Sequence, residues 1–86
     1  MKVKDFKAMF EEFKAKHPGT LAMFRKGEWF IMIDDDAEVA SKELGIPLYS
    51  AIGKHKTEVN ISAKDLDRYL PKLVKNGHRI AILDYE

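Results

Sequence analysis

The stretch Leu21-Ala22-Met23-Phe24-Arg25-Lys26-Gly27-Glu28-Trp29-Phe30-Ile31-Met32-Ile33-Asp34-Asp35-Asp36 decides the fold. Leu21 to Arg25 and Trp29 to Ile33 read as two strands. Lys26-Gly27-Glu28 is the turn between them, because Gly27 takes a positive φ without a Cβ clash. The second run is apolar at every position, which predicts a strand covered on both faces and therefore inside the sheet. The three aspartates then predict a helix start, where carboxylates accept from free N–H groups and complement the helix dipole. Ala37, Ala40 and Leu44 recur on one face of that helix. Gly45 is its natural stop, and Pro47 prevents continuation.

Upstream, Val3, Phe6, Phe10, Phe13 and His17 follow a three-four spacing, widened by Met9, which predicts an amphipathic helix. Pro18-Gly19 ends it. Downstream, Leu48 to Ile52 and Glu58 to Ile61 read as a second pair of strands joined by Gly53-Lys54-His55-Lys56-Thr57. Ser62-Ala63-Lys64-Asp65 has capping-box character and opens a third helix. Leu66, Tyr69, Leu70, Leu73 and Val74 form its inward stripe, and Pro71 predicts a kink or an early first turn. Asn76-Gly77 closes the helix. Arg79 to Leu83 is a last strand. The order is α-β-β-α-β-β-α-β, an α/β chain of the α+β kind: a mixed β-sheet of about five strands covered by three helices. Phe6, Phe10, Phe13, Ile33, Leu44, Leu70, Leu73 and Ile82 are expected in its core. No linker divides the chain, so residues 1–86 are read as a single domain.

Fifteen basic and 14 acidic side chains give a net charge of +1. That excludes a strongly basic nucleic-acid tail but leaves room for a local basic patch. There is no cysteine, which excludes disulfides, thiolate metal sites and cysteine nucleophiles. No apolar run is long enough to span a bilayer, and the N-terminus lacks a signal-peptide pattern. The expected location is the cytoplasm, away from membranes.

Gly53-Lys54 lacks the upstream glycine of a phosphate loop, since position 48 is Leu48. It also lacks the following Ser or Thr, since position 55 is His55. No ATP chemistry is expected. The aspartate triplet is better explained by capping than by a metal, and His17, His55 and His78 have no ligand-like spacing. No catalytic residue, metal or cofactor is expected. Two basic clusters remain: Lys54, His55 and Lys56 in a loop, and Arg68, Lys72, Lys75 and Arg79 around the third helix. The second reads first as a solvated helix face. Trp29 opens an apolar strand, which favours a core position; its place directly after a tight turn leaves a projecting stacking surface as the alternative.

Together these segments resemble the N-terminal mismatch-recognition domain of the MutS DNA mismatch repair family. The resemblance rests on Lys16-His17-Pro18 with Leu21, on Phe24-Arg25-Lys26-Gly27-Glu28-Trp29-Phe30, and on Asp35-Asp36-Ala37 with Ala40. It continues in Tyr69-Leu70, Lys72-Leu73-Val74, Gly77 and Arg79-Ile80-Ala81-Ile82, ending on Asp84. It implies the fold just described and a wedging aromatic at Trp29, exposed or half-exposed. The family's base-reading glutamate position holds Ile31, which neither donates nor accepts. The segment before the third helix also departs, reading Asn60-Ile61-Ser62-Ala63-Lys64. The resemblance therefore implies a non-enzymatic, stand-alone DNA-binding module for paired, mismatched or distorted duplex, with at most a small mismatch preference. Trp29 and Phe30 would supply its aromatic surface, and Arg25, Lys26, Lys54 and Lys56 its phosphate contacts. The alternative is a protein-interaction module that keeps the fold without DNA recognition.

Overall fold

The computed structural model describes residues 5–51 and 55–85. Its elements are α1 (Phe6–Lys16), β1 (Thr20–Lys26), β2 (Trp29–Ile33), α2 (Asp34–Leu44), β3 (Tyr49–Ser50), β4 (Thr57–Ser62), α3 (Ala63–Lys75) and β5 (Arg79–Asp84). The five strands form one mixed sheet in the order β3-β4-β2-β1-β5. The β1–β2, β2–β4 and β3–β4 pairs are antiparallel, and β1–β5 is parallel. The all-apolar β2 lies inside, as its composition requires.

Successive side chains of a strand point to opposite faces, and the sheet carries a core on each. On one face Ala22, Phe24, Ile31 and Ile33 lie under Phe10 of α1, with Phe6, Met9 and Phe13 partly buried around them. On the other, Leu21, Met23, Phe30, Met32, Val59 and Ile61 meet Ala37, Ala40 and Leu44 of α2 and Leu73 of α3. Phe24, Met23, Met32 and Ile33 are fully enclosed, each worth about 1.5–3 kcal/mol in transfer from water.

Helix ends follow local chemistry. Asp5 caps α1 by accepting the Ala8 N–H at 2.7 Å. Gly45, at φ 68°, ends α2 in the left-handed conformation. α3 runs on through Pro71 to Lys75 and stops at Asn76-Gly77.

Several expectations are corrected. The aspartates do not cap α2, whose start has no side-chain cap hydrogen bond. Asp34 and Asp36 are buried and bind other elements instead. The Asp36 carboxylate accepts the Ala22 N–H at 2.8 Å and pairs with the Lys14 ammonium at 3.1 Å. Ser62 does not cap the α3 backbone either; its hydroxyl donates to Asp65 at 3.2 Å. The strand expected from Leu48 shrinks to Tyr49–Ser50. Val74 and Ile82, expected inside, are 58% and 47% exposed. The reason for Ile82 is topological: β5 is an edge strand, and Ile82 pairs with Met23 on the α2–α3 face. Val3, Ile52 and Gly53 lie outside the described residues.

Candidate nucleic-acid interface

The hairpin β1–β2 turns on two residues, Gly27 and Glu28, with Gly27 at φ 61°. Glycine at the first central position is what a type II′ hairpin requires. The turn is tied down from outside, because the Glu28 carbonyl accepts the Ala63 N–H at the start of α3, at 2.8 Å. Trp29 therefore sits on a fixed corner.

Lys26 and Trp29 are directly opposite each other, and Ser62 is the next partner of Trp29 across β4. Trp29 shares its face with Ile31 and Ile33, the α1 face. Phe10 and its neighbours cover Ile31 and Ile33 but do not reach the last row, so Trp29 is 51% exposed. This overturns the core position favoured by composition. Phe30 is corrected in the opposite sense. Alternation turns it to the α2–α3 face, where it is 8% exposed, so it adds nothing to the aromatic surface beside Trp29.

Lys26, Trp29, Ile31 and Asn60 line a shallow depression of about 360 Å³. Among the described residues, its lining carries one cation and no carboxylate. The Lys26 ammonium lies 5.9 Å from the Phe6 ring centre and 5.5 Å from that of Tyr85, a cation–π arrangement that holds the charge beside the depression. Asn60, which stands across from Ile31, offers the donor and acceptor that Ile31 lacks. It was not singled out from the sequence, although the alternation of β4 marks it: Glu58, Asn60 and Ser62 are polar where Val59 and Ile61 are buried.

The other expected phosphate contacts are not gathered here. Arg25 is exposed but pairs with Phe30, hence on the opposite face. Lys54 lies outside the described residues. Lys56 is exposed and precedes β4, at the end of the sheet away from Trp29. Its neighbour His55 folds back over the α1 face, with its ring 6.0 Å from that of Phe6. Arg68, on α3, is paired with Asp65 at 3.0 Å.

Among the described residues, no group of three or more His, Asp or Glu side chains is placed to hold a metal ion. No helix among them is long and apolar enough to cross a membrane.

The sequence model of MutS domain I matches residues 4–86. The chain belongs to the MutS domain I family. It is 42% identical over 78 residues to the DNA mismatch repair protein MutS of Phocaeicola vulgatus, an alignment covering 87% of this chain and 9% of that protein. The protein of the same name from Bacteroides thetaiotaomicron is 45% identical over 78 residues, with the same coverage. That of Azorhizobium caulinodans is 37% identical over 87 residues, covering 96% of this chain and 9% of its own length. The chain thus spans about a tenth of the length of these curated relatives. The three helices, five-stranded mixed sheet and element order of this MutS domain I are those expected from the resemblance.

Proposed function

We propose that this MutS domain I is a non-enzymatic module that binds duplex DNA, with Trp29 as its stacking residue and Lys26 as its nearest phosphate contact. The observation that carries the reading is a half-exposed tryptophan, on a braced hairpin corner, beside a lysine and over a depression lined by Lys26, Trp29, Ile31 and Asn60. Every base has a π-face, so a tryptophan in this position stacks without regard to sequence. The names of the relatives, DNA mismatch repair proteins, agree with such a role. Because Ile31 is apolar and 7% exposed, it forms no hydrogen bond with a base, and mismatched duplex should be preferred by less than about tenfold.

Trp29 is the sole tryptophan, so its fluorescence reports binding directly. Titration with paired and mismatched duplex should quench it, with affinity falling steeply as salt rises. Trp29→Ala should weaken binding by about 1–3 kcal/mol per stacked base while leaving the melting temperature nearly unchanged. A folded protein that binds neither duplex at about 50 mM salt refutes the proposal. The second reading, a protein-interaction module, is favoured by the exposed apolar side chains Val74 and Ile82, and that result would leave it in front.

A further inference from the structure

The Asp34 backbone has φ 51°, the only positive φ at a non-glycine position among the described residues. Asp is one of the few residues that tolerates this region, and it still carries a cost there. What the conformation achieves is visible in the carboxylate. Instead of capping α2 it reaches two other elements. One oxygen accepts the Lys56 N–H at 2.6 Å and the Thr57 N–H at 3.4 Å. The other accepts from the Lys7 ammonium of α1 at 2.6 Å. The Asp34 carbonyl also accepts the Thr57 hydroxyl at 3.4 Å. The residue is 8% exposed, so these bonds form largely out of water. Beside them, His55 bonds Glu58 at 2.8 Å and lays its ring on Phe6. Phe6 in turn is the ring that flanks Lys26.

We propose that Asp34 is a positioning residue for the DNA surface: it clamps the backbone at Lys56 and Thr57, so that the exposed Lys56 is held in one place and its neighbour His55 lies over the α1 face that carries Lys26 and Trp29. This rests on the DNA reading. It adds a cationic contact about a sheet's length from Trp29, made usable only because a strained aspartate fixes the segment that bears it. A lysine on an untethered segment would have to be ordered on binding, at a cost in affinity.

The test uses Asp34→Gly and Asp34→Asn, with amide exchange and duplex titration on each. Glycine adopts φ 51° freely, so the first variant removes the carboxylate without adding backbone strain. Asparagine tolerates the same φ and keeps an acceptor for the Lys56 N–H. In Asp34→Gly, exchange at Lys56 should rise by about tenfold or more, while core amides such as Met32 stay protected. Both variants lose the same charge and free Lys7, so the clamp is read from their difference: duplex affinity should be lower in Asp34→Gly than in Asp34→Asn, and its slope of log affinity against log salt should be smaller by about one, the loss of one phosphate contact. Asp34→Asn should keep most of the Lys56 protection. Unchanged Lys56 exchange in a folded Asp34→Gly protein overturns the proposal. So does faster exchange with affinity and salt slope equal to those of Asp34→Asn. If the unmutated chain binds no duplex, the DNA reading fails, while the exchange measurement, made without DNA, still decides whether Asp34 holds the segment.

Discussion

Replacing Asp36 with alanine separates residues that look alike in the sequence. Asp36 is 3% exposed. Its loss leaves the N–H of Ala22, a fully buried residue, without its acceptor, at about 1–3 kcal/mol. It also strips Lys14 of a carboxylate bonded at 3.1 and 3.3 Å. Breaking a buried pair costs about 3–5 kcal/mol. The Lys14 side chain is 22% exposed and also bonds the Thr20 carbonyl, so water and that carbonyl recover part of the loss. The two costs overlap, and the expected total is about 3 kcal/mol. A domain of this size has a stability of about 4–13 kcal/mol, so the effect is large: a melting temperature lower by roughly 10–25 °C. Asp35→Ala, one residue away and exposed, should stay within about 0.5 kcal/mol of the unmutated protein. Urea unfolding followed by far-ultraviolet circular dichroism is the suitable assay, because a half-exposed Trp29 changes its surroundings little on unfolding. If Asp36→Ala falls within about 1 kcal/mol of Asp35→Ala, the buried node is not holding β1 to α2.

Phe10→Ala should cost about 3–5 kcal/mol, since Phe10 is the α1 side chain that closes one face of the core; a loss under about 1 kcal/mol by urea unfolding would mean α1 is not docked. Ile31→Glu should destabilise, because position 31 faces Phe10 and Phe24 and a carboxylate there loses its water; an unchanged urea midpoint with a raised mismatch preference would show instead that position 31 addresses DNA. Burial alone raises the Asp34 carboxyl pKa, but the Lys7 ammonium and the Lys56 and Thr57 amides outweigh it and hold the group below its ordinary 3.8. A depressed pKa contributes stability that is present above 3.8 and is lost as pH falls through the lower folded-state value. Unfolding midpoints measured down the acid limb should therefore drop less steeply in Asp34→Asn than in the unmutated chain.

Period and punctuation carried most of the fold. The bounds of Trp29–Ile33 and the stop at Gly45 follow from local chemistry alone, and the structure places both where they were expected. Facing was harder. A strand apolar at all five positions has no alternation to set its phase, so its residue types alone do not separate Trp29 from Phe30. The neighbouring β4 does alternate, and pairing it with β2 recovers the phase and points to Asn60. The three aspartates are indistinguishable by type and neighbourhood. Only the tertiary placement of Lys7, Lys14, Ala22 and Lys56 tells Asp34 and Asp36 from Asp35. Val74 and Ile82 sit on regular apolar stripes, and no stripe records that a sheet ends beside it.

The parallel pairing of β5 with β1 has one more consequence. It brings Tyr85, just past β5, to the first residue of α1: Tyr85 donates its N–H to the Arg25 carbonyl at 2.9 Å, and its ring lies 4.2 Å from that of Phe6. Joining residues so far apart in the sequence closes a long loop before the contact is rewarded, so this edge of the sheet is expected to form more slowly than the β1–β2 hairpin.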